Sequence, residues 1–208
     1  MIRVINFFGV LTLFFGVTAC SGLLDSDEPA ERVYWLESLV VQQVVANDGS
    51  LPSLAVSVRA APGLDTDRLL ILGPGAQLNH YAAASWPDNI PEVLESLLRT
   101  TLESTGRYSR VSGASDSRST DQELELEIRE FYTLANESEN AHMVRMALRG
   151  YVSCAASDHV IVLEAAADID DNRLSRIVAA YQYALHEVSR QLVTRLADTC
   201  TASNPADS

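Results

Sequence analysis

Between Gln122 and Ile128 the sequence reads QELELEI, so Leu124, Leu126 and Ile128 alternate with Glu123, Glu125 and Glu127. Successive side chains of a strand point to opposite faces, and this segment therefore predicts a strand with one face on a core and one in water. A strand buried on both faces would instead read as a continuous apolar run. The three carboxylates invite an acid/base or metal-binding reading, but their regular two-residue spacing is that of a solvated strand face. The alternation loses register between Ile128 and Phe131, which predicts a bulge there or the strand's end near Glu130.

The rest of the chain builds around such a sheet. Residues Val33 to Val45 are rich in Val, Leu and aromatics and run into Asn47-Asp48-Gly49, which predicts a strand and a tight turn. Leu54 to Val58 alternates as a half-buried strand does and is closed by Ala61-Pro62-Gly63; Arg68 to Leu72 is a shorter one, stopped at Gly73-Pro74-Gly75. Asn89 and Glu92 have capping-box spacing, and Ile90, Val93, Leu94, Leu97, Leu98 and Leu102 recur at helical intervals up to Gly106. After a polar loop at residues 112–121 and the QELELEI strand come two more strands, His142 to Val152 and His159 to Ala165. A helix from Leu174 to Thr199 follows, with Ile177, Val178, Tyr181, Leu185, Val188, Leu192 and Leu196 in step. Short turns favour antiparallel neighbours. The expected fold is a single α+β domain, a mainly antiparallel sheet with two long helices packed on one face.

The N-terminus sets the compartment. Arg3, the apolar run Phe7 to Val17 and the small residues Thr18 and Ala19 have the layout of a signal peptide, and the run is too short to cross a hydrocarbon core of ~30 Å as a permanent helix. Val17-Thr18-Ala19-Cys20 resembles a bacterial lipobox. That resemblance implies cleavage before Cys20 and acylation of its sulfur, the multiple chains giving a durable anchor where a single chain holds only marginally. A covalent N-terminal lipid on Cys20 is then the only non-protein group expected. Asp25, Asp27, Glu28, Pro29 and Glu31 read as a solvated tether. The expected organisation is a signal peptide at 1–19, lipidated cysteine and tether at 20–32, one domain at 33–200, and a disordered tail at 201–208.

Charge and cysteine content narrow the partners. With 15 basic against 28 acidic residues and no cationic cluster, nucleic acid is disfavoured, and membrane contact should come from the lipid rather than from a basic face. Of the three cysteines, an acylated Cys20 leaves Cys154 and Cys200 as an even pair in an oxidising compartment, which suggests a disulfide; two independent thiols are the alternative.

No catalytic set emerges. The four histidines, His80, His142, His159 and His186, fall in different elements, and HEVSR at 186–190 lacks the second histidine of a zinc helix. GASDS lacks the last glycine of a nucleophile elbow, and Gly73-Pro74-Gly75 has no following Lys-Ser/Thr pair. Neither an enzyme nor a metal site is expected. Tyr81 and Trp86, in LNHYAAASWPD between a strand and a helix, are either a core plug or an anchor for a partner.

YWL at 34–36, APGLDTDRLLI at 61–71, LNHYAAASWPD at 78–88, LLRTTLESTGRYSRV at 97–111, LELEIREF at 124–131 and RIVAAYQYAL at 176–185 together resemble, in that order, the ABC-type transport auxiliary lipoproteins. That family includes the lipoprotein component of paraquat-inducible, MCE-type envelope transport systems. The resemblance implies a non-enzymatic periplasmic partner of an MCE-domain protein and its ABC transporter components, with Cys20 as lipidation site, Trp86 as the tryptophan before the first long helix and Phe131 at a strand end. Ser85 departs from it, standing where a charged residue commonly precedes that tryptophan. Ser21 after Cys20 resembles a residue permissive for export, which implies the periplasmic face of a Gram-negative outer membrane. A lipoprotein that activates a cell-wall enzyme or pilots assembly of an outer-membrane complex is the alternative, and homo-oligomers are compatible with either.

Overall fold

The computed structural model describes residues 30–41, 51–113, 119–138, 140–154 and 157–201. Cys20, the signal segment, the tether up to Pro29, the turn at 47–49 and the tail after Thr201 lie outside the described residues. The strands are β1 (Arg32–Val33), β2 (Ser53–Ala60), β3 (Arg68–Gly73), β4 (Gln77–Ser85), β5 (Arg110–Gly113), β6 (Gln122–Ala135), β7 (Ala141–Cys154) and β8 (Ser157–Asp168); the helices are α1 (Ile90–Ser104) and α2 (Leu174–Thr201). Together they make a single α+β domain with a mostly antiparallel, open sheet.

β6 is the spine of the sheet. Along one edge it runs antiparallel to β7, which in turn pairs antiparallel with β8. Its other edge is shared: β2 pairs with the first half, from Leu54↔Gln122 to Ala60↔Ile128, and β3 with the far end, at Ile71↔Thr133 and Leu72↔Leu134. Both of these pairings are parallel, as are β2 with β5 and β1 with β4, so the expectation of short-turn antiparallel neighbours holds only for β3–β4, β6–β7 and β7–β8. Parallel pairing needs a crossover, and α1 supplies it between β4 and β5.

The alternation in QELELEI is realised: Leu124, Leu126 and Ile128 are buried while Glu123 and Glu125 are exposed. The slip after Ile128 is a bulge at Arg129, since Ile128 faces Leu148 and Glu130 faces Ala147. It lets Phe131 and Thr133 take over the buried side. Opposite Leu126 sits Gly150, where an added Cβ would lie 1.7 Å from the carbonyl oxygen of Glu125. The backbones of β6 and β7 approach too closely there for any side chain.

Both helices cover the same face as expected. α1 buries Ile90, Val93, Leu94, Leu98 and Leu102 against β2 and β5, and α2 buries Ile177, Tyr181, Leu185, Val188, Leu192 and Leu196 against β7 and β8. Asn89 does precede α1, but its side chain makes no capping bond; the backbone N–H of Ile90 is instead satisfied by the carbonyl of Thr66 at 3.1 Å, so the expected capping box is absent. Tertiary contact has replaced the local cap.

Two further expectations are corrected. The strand expected from Val33 to Val45 is a ladder only at Arg32–Val33; residues 34–41 leave the sheet edge as an extended strip, and 42–45 fall outside the described residues. LNHYAAASWPD does not lie between a strand and a helix but is itself mostly strand, because Gln77–Ser85 form β4. Its breaks in pattern reflect an irregularity: Arg68 faces Ser85 while Leu70 faces His80, so Leu69 alone opposes the stretch from Tyr81 to Ala84, and Ala83 turns through φ 52°. A residue taking positive φ in mid-strand hides the period-2 signal.

Candidate functional site

The disulfide between Cys154 and Cys200 is present, with Cα atoms 5.6 Å apart. It ties the end of β7 to the last turn of α2, and Cys154 is buried. Cys20 lies outside the described residues.

Tyr81 and Trp86 occupy unlike surroundings. Trp86 is 1% exposed and meets Phe131 and Tyr181 edge-on, with ring centroids at 5.8 Å and 5.1 Å. This is the core-plug position, and a partner could not reach the ring without opening the core; the contact-anchor reading of Trp86 does not fit it. The indole Nε1 has no hydrogen-bond partner among the described residues. Tyr81 is half-buried and its hydroxyl pairs with Thr133 Oγ1 at 3.0 Å, while Thr133 Oγ1 donates to the carbonyl of Leu70 at 3.2 Å. Tyr181 donates to that same carbonyl at 3.3 Å. Burial pushes the phenols of Tyr81 and Tyr181 up, Tyr181 well above its ordinary value, so both remain neutral donors at physiological pH. This network braces β3, β6 and α2 and contains no activated nucleophile.

Among the described residues no three His, Cys, Asp or Glu side chains gather as a metal site. His80 lies on β4, His142 on β7, His159 on β8 and His186 on α2, where its Nε2 is 2.7 Å from Gln182 Nε2.

Among the described residues, exposed apolar side chains gather in two places, with Leu78 and Tyr183 standing apart from them. The first is the sheet face away from the helices. There Tyr151 stands opposite Val160 on one side and Glu125 on the other, and Arg149 stands between Glu127 and Val162. Tyr151, Val160 and Val162 are exposed, ringed by Glu123, Glu125, Asp158 and Glu164. Glu127 bridges Arg59 and Arg129, each at 3.0 Å, so at this end of the patch the carboxylate is charge-paired. The second is the strip at 34–41. Leu36 turns inward and is buried, whereas Val33 and Trp35 point outward at 62% and 70% exposure. Trp35 lines a groove of ≈ 340 Å³ together with Pro87, Asp88, Glu92, Val93 and Leu97. The strip is held at both ends: Tyr34 N–H donates to Ser85 O at 2.8 Å, and Val41 N–H to Ser104 Oγ at 3.0 Å.

Sequence reasoning missed both patches. Val160 to Leu163 is an unbroken apolar run, so its spacing did not say which members face out; Trp35 lies between Tyr34 and Leu36 in a segment whose composition reads as ordinary strand.

No family model matches the chain, and no curated protein matches it either. Solved structures do. A crystal structure of a Xanthomonas campestris protein of the family DUF330 superposes with a TM-score of 0.61 at 18% identity, covering 84% of this chain and 96% of that one. An uncharacterised protein gives a TM-score of 0.62 at 10% identity over 81% of this chain and 99% of its own. A hypothetical protein from Chlamydia trachomatis gives 0.50 at 12% identity over 74% and 100%. At such identities the likeness is one of fold. It extends over nearly the whole length of each of those proteins.

Proposed function

We propose that this protein is an exported, lipid-anchored docking component of an MCE/ABC-type trans-envelope lipid transport system, held through Cys20 on the periplasmic face of the outer membrane and catalysing no reaction. The observation that carries the docking reading is the bare sheet face. A sheet with one covered face normally carries polar residues on the other, yet this one places Tyr151, Val160 and Val162 side by side in water. Contiguous exposed apolar surface of that kind marks a binding surface.

Export is supported by the lipobox at 17–20 together with the bonded Cys154–Cys200 pair, which belongs to an oxidising compartment. No helix of the described residues is long and apolar enough to cross a membrane, so attachment rests on the acyl chains. The choice of an MCE-domain protein as partner rests on the six ordered segments that resemble the auxiliary lipoproteins.

Affinity purification of the tagged protein from detergent-solubilised envelopes tests the reading. An MCE-domain protein should be recovered, and recovery should fall at least ten-fold for Y151E/V160E with the melting temperature held. Recovery of peptidoglycan synthases in its place overturns it.

A further inference from the structure

The extended strip carries an apolar edge for which the docking face gives no use. Val33, at the end of β1 just before it, and Trp35 are both exposed, and Val40 adds a third exposed apolar side chain five residues after Trp35. Isolated exposed apolar residues need no explanation, but three within one short strip do. The strip is not loose. Leu36 is sunk in the core, Glu37 is tied to α2 and Val41 to the end of α1, so Trp35 is presented from a fixed backbone.

The strip also lies close in sequence to Cys20. The steps from Cys20 to Glu31, at no more than about 3.6 Å each, span less than about 40 Å. A tether of that length keeps the strip at high effective concentration over whatever surface holds the acyl chains. Tryptophan, with an apolar ring and one N–H donor, is suited to the headgroup level of a bilayer.

We propose that Val33, Trp35 and Val40 seat the domain on the lipid surface into which the acylated Cys20 inserts, fixing its orientation there. The contact rests on the lipid-anchor part of the proposed function and is independent of the transport partner. The charges around Trp35 choose the lipid. Asp88 and Glu92 stand at its groove, Glu37 lies two residues on, and Arg68 is paired with Glu31 at 3.0 Å, while Arg32 lies three residues before Trp35. A predominantly acidic rim favours zwitterionic over anionic headgroups.

The two tryptophans make this measurable, because Trp86 is buried and Trp35 is not. The full mature protein, purified with its acyl chains, is reconstituted into phosphatidylcholine vesicles bearing brominated acyl chains, which quench only at short range. The Trp35 emission should fall at least two-fold relative to unbrominated vesicles, W35F should lose the quenchable component, and adding anionic lipid at low salt should weaken quenching. Emission unchanged by bromination, while the mass of the Cys20 peptide and vesicle flotation show the anchor in place, overturns the proposal and leaves the anchor standing. A Cys20 peptide without acyl chains removes the anchor and this proposal with it.

Discussion

Gln182 of α2 and Glu37 of the N-terminal strip exchange two hydrogen bonds: the Glu37 N–H donates to Gln182 Oε1 at 2.7 Å, and Gln182 Nε2 donates to the Glu37 carbonyl at 2.8 Å. A side-chain amide thus does for the strip what a neighbouring strand would do, satisfying both backbone groups of one residue. Q182A should therefore cost about 1–2 kcal/mol, since each bond contributes about 0.5–1.5 kcal/mol. Hydrogen exchange at the Glu37 amide should accelerate more than at β6 amides; equal protection in both proteins would show that the strip is held without Gln182.

Gln191, on the same helix, repeats the device at the sheet's free edge, accepting from Glu164 N–H at 3.1 Å and donating to its carbonyl at 2.9 Å. Among the described residues β8 pairs only with β7, and the Val160–Leu163 run makes its other side a template for another strand. Q191A should lose about 1 kcal/mol and aggregate faster on mild heating, read by light scattering at matched fraction folded. An unchanged aggregation rate would mean that the charged neighbours of β8 suffice.

At Gly150 the prediction is larger. With an added Cβ 1.7 Å from Glu125 O, G150A must push β6 and β7 apart along a ladder that continues on both sides. Loss of more than about 3 kcal/mol, or failure to fold, is expected from strain of this kind. A denaturant midpoint within experimental error of wild type would contradict the close approach.

Removing the disulfide by C154S/C200S should destabilise the exported protein by about 2–4 kcal/mol, given a sequence separation of 46. Non-reducing peptide mapping should find one peptide joining the two residues in wild type. Cys154 is buried and Ser is polar, so C154A/C200S is the better-matched variant for the calorimetry.

Burial pushes the Tyr108 phenol up to about 12, partly opposed by Arg107. An acid whose pKa is higher folded than unfolded binds more protons when folded, so it contributes full stability below pH about 10 and loses it as pH rises towards 12. Thermal unfolding from pH 9 to 12 should show a falling melting temperature that Y108F makes shallower. Parallel curves for the two proteins would assign the alkaline loss to other groups, Tyr181 first.

Tyr108 and Gly150 also show where reading a sequence stops. The period of residues 122–128, the helical repeats after Asn89 and Leu174, and the even cysteine pair were legible because each is a local rule, set by strand geometry, helix geometry or counting. From these the wet and dry sheet faces, the two helices over one face and the Cys154–Cys200 bond follow, and all are present. Which strands became neighbours was not local. β2 pairs in parallel with β6 across a hairpin and a helix, a pairing between distant segments that no window of residues records, and β4 hides its alternation behind Ala83 at positive φ. Trp86 was ambiguous for the same reason: an indole before a helix is a plug or an anchor according to whether Phe131 and Tyr181, distant in the chain, close around it. Exposure of Trp35, Tyr151, Val160 and Val162 was likewise settled only when the helices covered one face and left the other open, because burial belongs to the packed layers and composition merely permits it.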